Sequence, residues 1–159
     1  MSLCKFTSRK RLTGPVFTVS NDGKTCILKA HEAAYQNHIF PTELNARIKL
    51  GSAAHVTKMV GVVTHDSSID GTCYVHGIVL EHCSKGDLRS LLKNSDPPVE
   101  LSRKYRWAAQ IVHGLLTIHQ AGLLHGDLRC QNVVVDGCDD AQLIDLTNGK
   151  GFTEGWNSV

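Results

Sequence analysis

Eight consecutive residues, His125-Gly126-Asp127-Leu128-Arg129-Cys130-Gln131-Asn132, set an acid and an amide five positions apart. A second acid, Asp145, closes the short apolar run Leu143-Ile144, eighteen positions after Asp127. An aspartate so placed can hold a hydroxyl nucleophile. Side-chain oxygens of Asn132 and Asp145 suit a magnesium ion bound to nucleotide phosphates. These groups act together only if the flanking elements hold them. Tyr105, Ala108, Ala109, Ile111, Val112, Leu115, Leu116 and Ile118 recur at three- and four-residue intervals, which predicts a helix from Ser102 to about Gln120. Ser102 reads as its N-cap and Gly122 as its stop. Val133-Val134-Val135 reads as a strand directly after the loop. The competing local reading is an Asx-rich surface turn.

Upstream, Val16 to Val19 and Cys26-Ile27-Leu28 flank Asn21-Asp22-Gly23-Lys24, the pattern of a hairpin. Residues 31 to 50 read as helix in two pieces, with Pro41 tolerated in the first turn of the second. Val60 to Val63 and Tyr74 to Leu80 are further strands, joined by a polar loop from Asp66 to Gly71. A short helix, Asp87 to Leu92, follows Gly86, and Asp96-Pro97-Pro98 is a linker. No internal repeat or low-complexity segment interrupts the chain.

The 159 residues suffice for one domain with a real core; 42% hydrophobic and 20% charged residues predict an ordered globular chain. A net charge of +2 is too small to imply a nucleic-acid partner. Lys5, Arg9, Lys10 and Arg11 make residues 1–15 a basic segment, expected to be poorly ordered. No run has the eighteen or so apolar residues of a membrane helix, and the first residues lack the apolar stretch of a signal peptide. Six cysteines without C-x-x-C spacing fit reduced thiols and a cytoplasmic location, the nucleus being an alternative. Nine histidines contain no H-x-x-x-H pair, which argues against structural zinc.

The run from His125 to Asn132 resembles the protein-kinase catalytic loop H-R-D-L-x-x-x-N, and Asp145-Leu146-Thr147 resembles the D-F-G element after it. The resemblance implies an α+β, protein-kinase-like fold. It would hold a small β-rich lobe over about 16–80, a hinge over about 81–86 and the first helical part of a larger lobe over about 87–159. Thr25 to Lys29 resembles the V-A-I-K strand, so Lys29 would meet the α/β-phosphates of ATP, with Glu43 as its acid partner. Ile78 to Leu88 resembles the adenine-binding hinge. There Leu80 would be the gatekeeper, the backbone of Glu81 and Cys83 would meet adenine, and Asp87 the ribose. By the same resemblance Asp127 accepts the substrate proton, Arg129 neutralises the γ-phosphate, and Asn132 and Asp145 hold Mg2+.

Four departures qualify this. No G-x-G-x-x-G precedes Val16, where Gly14 stands alone. Gly126 replaces the Arg of H-R-D, which removes the usual receiver of a phosphorylated activation loop. Asp145-Leu146-Thr147 keeps only the acid of D-F-G. Gly151 to Trp156 resembles the stretch before A-P-E, but A-P-E and the helices beyond it are not in this sequence. The apolar stripe of the long helix is therefore expected to be partly exposed and to favour self-association. The leading functional expectation is a protein kinase, Ser/Thr or Tyr unresolved, transferring the ATP γ-phosphate to a protein hydroxyl. The alternative is a catalytically impaired kinase-like (pseudokinase) module acting through protein contacts. A small-molecule phosphotransferase stands third, disfavoured by the hinge-like segment. The expected partner is a protein substrate or binding protein, without nucleic acid or membrane.

Overall fold

In the computed structural model, residues 6–30, 39–66 and 73–146 are described. The chain is α+β and divides into two units, Met1–Asn37 with Lys58–His82, and His38–Thr57 with Cys83–Val159. The expected helical piece over 31–38, most of the loop after Asp66, Thr147 and the segment Gly151 to Trp156 lie outside the described residues.

The first unit is a five-stranded antiparallel sheet of β1 (Phe6–Thr13), β2 (Val16–Asn21), β3 (Lys24–Ala30), β4 (Met59–Asp66) and β5 (Cys73–Glu81), in the order β1-β2-β3-β5-β4. The expected hairpin closes at Asn21↔Lys24, with Asp22 and Gly23 both at positive φ, as a tight two-residue turn requires. Period-two alternation puts Phe17 and Val19 of β2, Cys26 and Leu28 of β3, and Val79 of β5 into one buried cluster.

Within the basic segment 1–15 expected to be poorly ordered, residues 1–5 lie outside the described residues and Phe6–Thr13 forms an edge strand. Its charge is the reason it can sit there. The guanidinium groups of Arg9 and Arg11 lie 3.5 and 5.7 Å from the Phe17 ring centroid. Their stems cover apolar surface while their charges remain in water and discourage further strand pairing. Thr13 pairs with Val16, leaving Gly14-Pro15 as a two-residue connection.

The second unit contains α1 (Ile39–Leu50), β6 (Gly86–Asp87), α2 (Leu88–Asn94), α3 (Leu101–Gln120), β7 (Val133–Val135) and β8 (Ala141–Leu143). Strands β6, β7 and β8 form a small antiparallel sheet. Pro41 lies near the start of α1, where a missing N–H removes no helical bond. Helix α3 begins one residue before the expected N-cap. Glu100 is its cap residue without a capping side-chain bond, and Ser102 lies inside the helix. It stops as expected, with Gly122 at positive φ and Leu123 N–H donating to Ile118 O at 3.1 Å.

The buried side of α3 carries Trp107, Gly114 and Ile118, with Ile111 and Leu115 half-buried beside them. The predicted stripe is therefore split: Tyr105 is 67% exposed, and Val112 and Leu116 also face solvent. The close approach at Gly114 explains which side turns inward. A Cβ there would meet the His55 carbonyl oxygen at 2.8 Å and Leu143 Cδ1 at 3.0 Å, so no larger residue fits. Trp107, absent from the expected stripe, anchors the turn between β7 and β8 by donating Nε1–H to Asp139 O at 3.0 Å. The Asp139 carboxylate pairs with Lys85, Arg103 and Arg106, and the Arg103 hydrogen bond leads in holding its pKa down at about 2.

Candidate active site

Beyond α3 the chain turns through Leu123 and Leu124 into buried His125. Gly126 follows at φ +76°, a left-handed conformation that glycine adopts without the Cβ penalty of about 1–2 kcal/mol. Asp127 N–H points at His125 Nδ1 over 3.4 Å. A 3-10 turn, Cys130–Asn132, then brings Asn132 back, its N–H donating to Arg129 O at 2.8 Å. The Asn132 amide Nδ2 donates to both the backbone oxygen and Oδ2 of Asp127, each at 2.9 Å. Arg129 pairs with the same Oδ2 at 3.1 Å. Both side-chain contacts fall on Oδ2, so they fix the plane of the Asp127 carboxylate and leave Oδ1 unused by either.

The second acid is tied to the same loop. Ile144 N–H donates to the Asn132 backbone oxygen at 3.0 Å, and Asp145 is the next residue. Asp145 has φ +64°, uncommon for a residue with a side chain. Such backbone is retained where its surroundings over-determine it, often at a functional site. His125 is buried and feels the charge of both acids. Burial lowers its pKa, opposed by the Ile144 backbone and the Asp145 and Asp127 charges. Its Nε2 is buried without a hydrogen-bond partner among the described residues. Burial therefore favours the neutral imidazole over the charged form.

The other residues singled out in the sequence divide between the units. In the sheet, Lys29 of β3 sits in register between Val16 and Ile78. Leu80 is buried opposite Ile27, and Glu81 N–H donates to Lys58 O at 3.0 Å. In the second unit, Cys83 O accepts the Gly86 N–H at 3.3 Å. Asp87 is the N-cap of α2, accepting from Ser90 N–H at 2.9 Å and Ser90 Oγ at 2.7 Å. Burial raises its pKa, but the Ser90 bonds together with the backbone N–H groups of Asp87 and Arg89 leave it lowered. Glu43 is buried in α1 and accepts from Arg47. The structure thus gathers Asp127, Arg129, Asn132 and the Asp145 segment. Arg47 and Thr57, both buried, escaped the sequence reading; the available signal was the i,i+4 spacing of Glu43 and Arg47.

A family profile described as protein tyrosine and serine/threonine kinase matches residues 13–148. The chain belongs to this family. Among its relatives, guanylate cyclase 2D of Rattus norvegicus is 30% identical over 116 residues, 72% of this chain and 10% of that protein. Tyrosine-protein kinase receptor svh-2 of Caenorhabditis elegans is 29% identical over 82 residues, 52% of this chain and 7% of that protein. Receptor-interacting serine/threonine-protein kinase 1 of Homo sapiens is 29% identical over 93 residues, 58% and 13% of the two. The chain thus spans about a tenth of the length of these relatives. The kinase-family assignment accounts for the five-stranded sheet followed by the loop that joins Asp127 to Asn132.

Proposed function

We propose that this kinase-family chain binds Mg-ATP and transfers the γ-phosphoryl group to a protein hydroxyl. The observation that carries the reading is the Asp127 carboxylate held by Asn132 and Arg129, with the Asn132 backbone oxygen accepting from Ile144, the residue before Asp145. The donor set fits magnesium. Asn132 gives its Nδ2 to Asp127, leaving the amide oxygen, and Asp145 adds a carboxylate. Two hard oxygens suffice for an ion that takes its remaining ligands from phosphates and water. Among the described residues no cluster of three His, Cys, Asp or Glu builds a cage of its own. Bound there, the ion would neutralise phosphate charge.

In this reading Asp127 takes the proton as the substrate oxygen bonds to the γ-phosphorus and the β–γ bridging oxygen departs with ADP. Lys29 orients the α/β-phosphates. The backbone of Glu81 and Cys83 meets adenine, and Asp87 meets the ribose with whatever acceptor capacity its Ser90 cap leaves. Arg129 reaches the γ-phosphate by releasing Asp127. That exposed pair is worth about 0–1 kcal/mol, a small barrier to release. The partner is a protein and the location cytoplasmic.

A kinase-like binding module without turnover is the second reading. It is favoured by the two-residue Gly14-Pro15 connection, where the family resemblance leads one to expect a glycine-rich loop. A relative named for guanylate cyclase activity supports it as well. Calorimetric titration with Mg-ATP, followed by labelled phosphate transfer to a generic protein substrate, separates the two. Transfer that disappears in Asp127→Ala supports the enzyme, and binding without transfer supports the module. Absence of magnesium-dependent nucleotide binding sinks the nucleotide-binding proposal.

A further inference from the structure

We propose that Arg47 is a positioning residue that latches α1 to the strand leading into Asp145 and sets the orientation of Glu43. The functional weight of those two acids rests on the Mg-ATP reading above; the latch itself rests on geometry. Arg47 and Glu43 are only 2% and 4% exposed. Arg47 donates Nε and Nη2 to the same Glu43 oxygen, Oε1, at 3.0 and 2.8 Å. Its Nη1 donates to Thr57 O at 2.7 Å and to Thr57 Oγ1 at 3.3 Å. Thr57 passes the connection on, donating Oγ1–H at 3.2 Å and N–H at 3.0 Å to Leu143 O. Leu143 N–H returns to His55 O at 2.8 Å, and Ile144 N–H continues to Asn132 O at 3.0 Å.

An unbroken hydrogen-bonded chain therefore runs from Glu43 through Arg47 and Thr57 to β8, and on to Asn132 and the residue before Asp145. A planar guanidinium is suited to this task, because one rigid fork holds the carboxylate on one side and the Thr57 acceptors on the other. A lysine offers a single ammonium and cannot reproduce the fork. The two bonds on Oε1 also fix the Glu43 carboxylate plane, which directs Oε2. The anchor couples an acid on α1 to the metal-side acid through side chains and backbone that belong to one unit.

Glu43→Gln/Arg47→Met removes both buried charges together, so it leaves no lone buried ion to unfold the chain. The test compares it with wild type, Glu43→Gln, Arg47→Lys and Thr57→Val, by amide hydrogen exchange and Mg-ATP affinity. The latch predicts about tenfold faster exchange at Thr57, Leu143 and Ile144 in the double variant, relative to Glu43→Gln alone. It also predicts Mg-ATP affinity weaker by about tenfold than in Glu43→Gln, a smaller change of the same sense in Thr57→Val, and partial recovery in Arg47→Lys. Unchanged exchange at those three amides overturns the latch, whatever happens to melting temperature. Altered exchange with Mg-ATP affinity equal to that of Glu43→Gln overturns the positioning role. If wild type fails to bind Mg-ATP, the proposed function falls, and the exchange result still decides the latch.

Discussion

The loop from His125 to Asn132 and the connection between β1 and β2 stand in contrast. In the loop, one acid is braced by an amide, a guanidinium and a backbone turn, and the residue before the second acid donates its N–H to the Asn132 carbonyl. Between β1 and β2 the chain spends two residues, Gly14-Pro15, on reversing direction. The neighbouring arginines engage Phe17 and, for Arg11 Nε, the Gly14 carbonyl at 2.7 Å. The difference teaches that groups suited to proton transfer and metal binding can persist in a rigid self-supporting turn while the resemblance to a phosphate-covering loop fades. Phosphate contact would then depend on residues other than that loop.

The most direct way to break this contrast is at Asp127. Asp127→Ala is expected to lower phosphate transfer by about 10²–10⁴-fold with little change in melting temperature, checked by steady-state transfer assays and calorimetry. Equal transfer in the variant would show that the braced loop is not the reacting centre. The core of the second unit comes next. Trp107→Ala is expected to cost about 3–5 kcal/mol in urea unfolding, because the ring is buried and its N–H anchors the turn before β8.

Asp139→Asn weakens the same turn less, by about 1–3 kcal/mol, since one carboxylate serves three partly exposed cations. The sign with pH follows from its depressed pKa of about 2: the contribution is present above pH 4 and is lost as pH falls toward 2. Acid titration of stability in wild type and Asp139→Asn checks this, and identical curves below pH 4 would remove it. His125 acts in a higher window. Its lowered pKa makes the folded state bind fewer protons, so stability should fall as pH drops below about 6.5, and His125→Phe should flatten that portion.

The smallest effect sharpens the other side of the contrast. Arg9→Ala/Arg11→Ala should cost about 0.5–2 kcal/mol through lost stacking on Phe17 and leave Mg-ATP affinity unchanged. A tenfold loss of affinity would instead assign phosphate contact to β1.

Local chemistry made much of this legible. Asp127 and Asn132 meet across five residues, so a short turn suffices to join them. Asn21 to Lys24 carries its own turn preference, and the helical period before Gln120 needs no partner to be recognised. Other features depended on distant company. Periodicity marked several faces of α3 as apolar. Only the approach of His55 and Leu143 to Gly114 selected the side with Trp107 and Ile118, leaving Tyr105, Val112 and Leu116 in solvent. A string of cations in residues 9–11 suggested a solvated tail until Phe17 supplied a surface to cover.

The amino-acid order by itself determined the β2–β3 hairpin, the long helix and the loop from His125 to Asn132, because each is specified by neighbours within a few positions. Tertiary structure decided which helix face is core, that Phe6–Thr13 is a strand, and that Arg47 joins Glu43 to Thr57. The physical reason is that burial and charge pairing are settled between segments brought together from far along the chain. The bonds linking Thr57 with Leu143, 86 positions apart, exist only after that assembly.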